Sequence, residues 1–196
     1  VLYFVSDRTG WWNLYRWHEG NVSPLCEMKA EFGKPQWIFG MSTYSFESAN
    51  CIVCTYIEQG TWLLATINTA TGKLERIKTP YTEIRSLRAS SGLAVFIAGS
   101  PTEPPSIVRL DLATRQIEVL RRSSNVMVNA EYLSIPKAIE FPTENGLTAH
   151  AFFYAPRNRD YTGPSEEQPP LLVKSHGGPT AATSTTLSWA VQYWTS

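Results

Sequence analysis

At 196 residues, 43% hydrophobic and 17% charged, the chain has the composition of a globular protein, with enough apolar material for one large domain or two small ones. Seventeen basic residues balance seventeen acidic ones, which leaves no electrostatic footprint for nucleic acid or an anionic membrane, and neither is expected as a partner. No apolar run approaches bilayer-spanning length, and three cysteines without framework spacing point to a reducing, cytoplasmic compartment.

Val1 to Val5 carry no charged leader and read as a strand already under way, so the chain is expected to be a piece of a longer protein. Residues 2–8, a Thr9-Gly10 turn, residues 12–18 and a Glu19-Gly20-Asn21 turn alternate β-rich runs with turn residues. The pattern returns at 51–57, Gln59-Gly60, 62–67, Ala70-Thr71-Gly72 and 74–77. It returns again at 93–98, a proline-rich loop, 107–112, Ala113-Thr114 and 117–120. Ala70 and Ala113 are 43 residues apart and Phe4 and Val53 are 49 apart, periods that match the blades of a β-propeller.

Stacked blades need strands that are apolar on both faces. Leu63, Ala65 and Ile67 point one way and Trp62 and Leu64 the other, whereas Val108, Leu110 and Leu112 alternate cleanly with Arg109 and Asp111. Fewer than three blades are expected. Five tryptophans precede Thr66 and are expected as wedges between blades rather than as a glycan platform. Asp7 and Arg8 belong to a polar turn. Cys51 and Cys54 form a C-x-x-C whose odd spacing on a strand puts the thiols on opposite faces, so no metal is expected there.

Over residues 123–132 the repeat fades. Residues 136–141 and 147–154 flank Asn145-Gly146, a strong hairpin signal, and 156–170 form a surface loop. Residues 171–175 read as a buried strand that breaks at His176-Gly177-Gly178-Pro179. Beyond it, Leu187, Ala190, Val191 and Trp194 recur at helical spacing, with 183–186 able to supply an N-cap. A Gly-Gly pair between strand and helix lets main-chain N–H groups face an oxyanion, because no Cβ blocks the turn.

His176-Gly177-Gly178-Pro179 resembles the oxyanion-loop motif of the prolyl oligopeptidase family of serine peptidases, in its dipeptidyl-peptidase and acylaminoacyl-peptidase branches. Residues 6–10, followed by Asn13-Leu14-Tyr15, are similar to that family's blade signature. The resemblance implies C-terminal propeller blades over residues 1–128 and the start of an α/β-hydrolase domain over 129–196. It implies a peptidase acting on peptide substrates, with no cofactor and no metal.

The backbone N–H of Gly178 is then the expected oxyanion donor and Gly177 shapes the turn, with Pro179 fixing its exit. No G-x-S-x-G occurs, and in this fold the serine, acid and histidine follow the glycine turn, so all three are expected after Ser196. The 196 residues alone should therefore be inactive. His176 is expected to be structural, and neither His18 nor His150 has a serine or carboxylate at a telling spacing. An esterase on the same fold and a non-catalytic propeller scaffold are the competing readings.

Overall fold

The computed structural model describes residues 1–37, 39–178 and 180–196. It is built from antiparallel meanders. β1 (Leu2–Ser6), β2 (Asn13–His18) and β3 (Asn21–Cys26) form a three-stranded sheet. A second sheet follows in chain order as β4 (Tyr44–Ser48), β5 (Cys51–Glu58), β6 (Thr61–Asn68) and β7 (Leu74–Ile77). The third has the same order, with β8 (Glu83–Ser90), β9 (Leu93–Ser100), β10 (Glu103–Asp111) and β11 (Ile117–Arg122). Two four-stranded sheets and one three-stranded sheet agree with the expected propeller blades, although three sheets are present where fewer than three blades are expected.

The second sheet is buried on both faces. Val53 and Leu64, with Trp62 against them, join Ile84, Leu87, Phe96, Val108 and Leu110 of the third sheet in one core. Ile52, Cys54, Tyr56, Ala65 and Ile67, with Leu63, join Leu14, Leu25 and Phe32 in the other. The two-sided alternation along β6 is thus the seam between blades. Each Leu- or Phe-sized side chain buried there contributes about 1.5–3 kcal/mol, whereas surface ion pairs such as Arg109–Glu118 are screened by water.

The period of 43 has a chemical cause. Asn68 Oδ1 accepts the Ala70 and Thr71 N–H groups at 3.0 and 2.9 Å, and Asp111 Oδ1 accepts those of Ala113 and Thr114 at 2.9 and 2.8 Å. The two turns are the same Asx turn one blade apart. Asn13 of the blade signature is also structural. It is fully buried and exchanges two 3.0 Å hydrogen bonds with the Met28 main chain. Arg8 lies over the rings of Phe4 and Tyr15 at 5.7 and 4.8 Å, as a turn residue covering its own sheet.

Three expectations change. The edge strands β4 and β8 are not legible in the sequence, because polar residues break their alternation and β8 bulges between Arg85 and Arg88. The proline-rich loop is the start of β10, with an irregular register between Glu103 and Ser106 that accommodates Pro104 and Pro105. Trp11, Trp17 and Trp37 are exposed rather than wedged, and the fully buried aromatics are Tyr15, Phe32, Tyr56 and Phe96. Phe32 and Tyr56 stack with ring centroids 4.9 Å apart, so smaller rings fill the space between sheets.

After the third sheet, a 3-10 turn (Ala130–Tyr132) leads into a separate hairpin of β12 (Lys137–Pro142) and β13 (Thr148–Phe153). Asn145 and Gly146 take φ of 59° and 72° in its bend, as the Asn-Gly signal anticipates, although the loop has five residues and is closed by the 2.7 Å bond from Thr143 N–H to Leu147 O. α1 (Trp189–Thr195) ends the chain.

Gly72 closes the β6–β7 turn at φ +71°, and a Cβ there would lie 2.2 Å from the Leu25 carbonyl oxygen of the first sheet. Both Gly72→Ala and Gly92→Ala strain a positive φ, at a cost of about 1–2 kcal/mol, and Gly72→Ala should destabilise the protein further because its Cβ also meets the Leu25 carbonyl whereas that of Gly92 meets nothing. Urea unfolding midpoints of the two variants check this, and equal shifts would contradict the contact with Leu25.

Candidate functional site

The His176-Gly177-Gly178 turn leads from an extended segment toward α1. Gly178 has φ +70°, in the left-handed region that favours glycine, and a Cβ on Gly177 or Gly178 would meet nothing within 4 Å. Both residues are exposed, and among the described residues neither N–H donates a hydrogen bond. Two exposed main-chain N–H groups on an open bend, with positive φ at Gly178, can donate to an anionic oxygen of a ligand. Pro179 lies outside the described residues.

The approach to the turn departs from expectation. Residues 171–175 were expected as a buried strand, but Leu171, Leu172 and Val173 are 79, 65 and 80% exposed and none of the five is in a ladder. A strand of this composition is buried by neighbours on its edges and faces, and no described strand runs beside it.

The exit differs too. α1 begins at Trp189, two residues after the expected Leu187, and its N-cap residue Ser188 makes no side-chain cap bond. Residues 184–186 do not cap it. They dock on the third sheet, where Thr186 Oγ1 donates to Glu83 Oε2 at 2.7 Å and Ser184 Oγ donates to the same oxygen. Thr185 Oγ1 donates to Thr82 Oγ1 at 2.8 Å and Leu187 N–H to Ser100 O at 2.8 Å. At this end of the blade, Lys34 lies 5.4 Å from the Trp62 ring. Burial, and then the nearby Arg85, lower its pKa against the opposing pull of Glu83.

α1 is fixed at its other side. Buried Gln192 accepts Ser134 N–H at 2.7 Å and donates to Ser134 O at 3.0 Å, while Thr195 O accepts Arg157 N–H at 2.6 Å. Sequence reasoning missed both the Glu83 and the Gln192 contacts, because their partners lie 101 and 58 residues away and nothing local marks them.

His18, His150 and His176 are all exposed. His150 faces Glu140 across the hairpin and His18 faces Asn21, and among the described residues no histidine side chain bonds to a serine or carboxylate. Neighbouring Ile52 and Cys54 lie in one core and Val53 in the other, so alternation along β5 sends Cys51 to the face opposite Cys54. Burial raises the pKa of Cys26, Cys51 and Cys54, most strongly in Cys54, which makes all three poorer nucleophiles than a free thiol.

A scan against protein-family models and a search of curated proteins gave no match. Among solved structures, the chain aligns over 99% of its length with a Mycobacterium tuberculosis puromycin-hydrolyzing peptidase, at TM-score 0.93 and 33% identity, and covers 30% of that protein. A puromycin hydrolase aligns over 96% of the chain at TM-score 0.88 and 33% identity, with 29% of its own length covered. Structures described as prolyl endopeptidases share the fold over 98% of the chain at TM-score 0.71 and 15% identity. Over essentially its whole length the chain is similar to these peptidases, in line with the resemblance its motifs carry to the prolyl oligopeptidase family, and its sheets have the form of propeller blades. It spans about 30% of the length of the solved structures it matches.

The raised thiol pKa values set an expectation for reactivity. In native protein at about pH 8, iodoacetamide should alkylate Cys26 and Cys51 more slowly than free cysteine, and Cys54 only after unfolding. Mass mapping of the modified peptides decides it, and labelling of Cys54 at the rate of Cys51 would place Cys54 outside the core.

Proposed function

We propose that the complete protein is a serine-type peptidase of the prolyl oligopeptidase family, acting on short peptides and related aminoacyl amides, with its propeller restricting access to the reacting centre. The observation that carries the reading is the 33% identity at TM-score 0.93 with a puromycin-hydrolyzing peptidase over essentially the whole chain. Puromycin is accordingly the first small-molecule substrate to test.

In this reading residues 1–128 are blades and 129–196 open the hydrolase domain. A serine, a histidine and an aspartate placed after Ser196 carry out acyl transfer: the serine attacks the carbonyl, the histidine takes its proton and returns it to the leaving amine, and the aspartate orients the histidine. The Gly178 N–H stabilises the oxyanion and Gly177 provides the bend. The open bend and the +70° φ of Gly178 support this role. No cofactor and no metal take part in it.

A fluorophosphonate probe should label the complete protein and leave the 196-residue chain unlabelled, as read by gel fluorescence. Labelling of the short chain would place the nucleophile within it. Peptide and puromycin amides should be hydrolysed in preference to simple esters, and the reverse order would favour an esterase. A complete protein that neither labels nor turns over would be a binding scaffold. Gly178→Val keeps the main-chain N–H, but its side chain obstructs the approach and strains the +70° φ that aims the donor, so kcat should fall by roughly 100-fold, and unchanged turnover would remove Gly178 from the site.

A further inference from the structure

The contact between the glycine-turn segment and the propeller is a built site that the proposed acyl-transfer chemistry leaves unexplained. One carboxylate organises it. Glu83 Oε2 accepts hydroxyls from both Ser184 and Thr186, and Glu83 Oε1 faces Arg85 Nη1 at 3.8 Å, so both carboxylate oxygens are engaged. The segment is pre-shaped for this. Ser184 Oγ also accepts the Thr186 N–H at 3.0 Å, which turns the two hydroxyls toward the same oxygen.

The blade surface is cut to receive the segment. A Cβ on Gly99 would lie 2.5 Å from Thr186 Cγ2, so only glycine at 99 lets Thr186 reach this depth. Thr185 is buried there, and the Leu187 N–H completes the seat on Ser100 O. Charge-assisted hydrogen bonds to a carboxylate are roughly twice as strong as neutral ones, which makes Glu83 the dominant member of this seat.

The position in the chain gives the seat its consequence. Residues 171–176 have no ladder partner among the described residues, so the first long-range hydrogen bonds after Gly178 are those of 184–187. Whatever holds Ser184 therefore limits where the bend can move relative to the blades. We propose that Glu83 is a positioning residue: through Ser184 and Thr186 it clamps the segment leaving the glycine turn onto the third blade and thereby sets the bend for acyl transfer. The proposal rests on the peptidase reading for its consequence in turnover, and on geometry alone for the clamp.

Two readouts on the complete protein separate these layers. Hydrogen exchange should show faster exchange across residues 184–188 in Glu83→Ala than in wild type, with β9 and β10 unchanged. Glu83→Gln, which keeps one carbonyl acceptor, should fall between the two. Unaltered exchange at 184–188, or acceleration spread over the whole blade, would overturn the clamp.

For turnover of a peptide amide, Glu83→Ala should lower kcat by about 10- to 100-fold with KM little changed, as misplacement of a reacting geometry by about 1 Å does. A double variant carrying Ser184→Ala and Thr186→Val should match Glu83→Ala, and the combined triple variant should be no slower. Effects that multiply instead of coinciding would mean that Glu83 acts elsewhere. A kcat within twofold of wild type in Glu83→Ala, with exchange accelerated, would retain the docking contact and overturn its positioning role. A wild-type protein without acyl-transfer activity would sink the peptidase reading and leave the exchange result to judge the clamp.

Discussion

The structure depends on the double-sided burial of the second sheet. β5 and β6 have no solvent face: alternate residues enter two different cores, one shared with the first sheet and one with the third. Removing apolar area from water is the largest favourable contribution available to a chain with no net charge and mostly surface ion pairs. It also fixes register, since a one-residue slip in β6 would exchange the contents of the two cores.

The third blade is the platform for the rest. Its inner face closes one core, while Glu83 and the cleft at Gly99 receive residues 184–187. The chain leaving the glycine bend is therefore tied to the same sheet that the hydrophobic core holds rigid. Gln192 and Thr195 then fasten α1 to Ser134 and Arg157. The contacts that hold residues 184–195 to earlier parts of the chain are mainly polar, whereas the three sheets are joined by apolar cores.

The bend itself is chemically plain: two glycines, one with positive φ, and main-chain N–H groups that donate to no partner among the described residues. That simplicity is why the motif could be read without coordinates, since glycine takes that conformation without strain and leaves the approach open. The strand expected to feed it could be read only as an apolar run, and an apolar run is buried only when other strands cover it. Residues 171–173 meet no such cover among the described residues.

What the amino-acid order determined alone is whatever rests on neighbours in sequence: the blade period set by the turns at Asn68 and Asp111, the two-faced alternation of β6, the Asn145-Gly146 bend, and the glycine turn. Contacts between distant parts decided the rest. The bulged strand β8, the choice of Tyr and Phe over Trp for the core, the late start of α1 and the Glu83 seat all join residues far apart in the chain. Local periodicity carries no record of which surfaces meet, because a hydroxyl run that could cap a helix satisfies its hydrogen bonds equally well on a carboxylate 101 residues away.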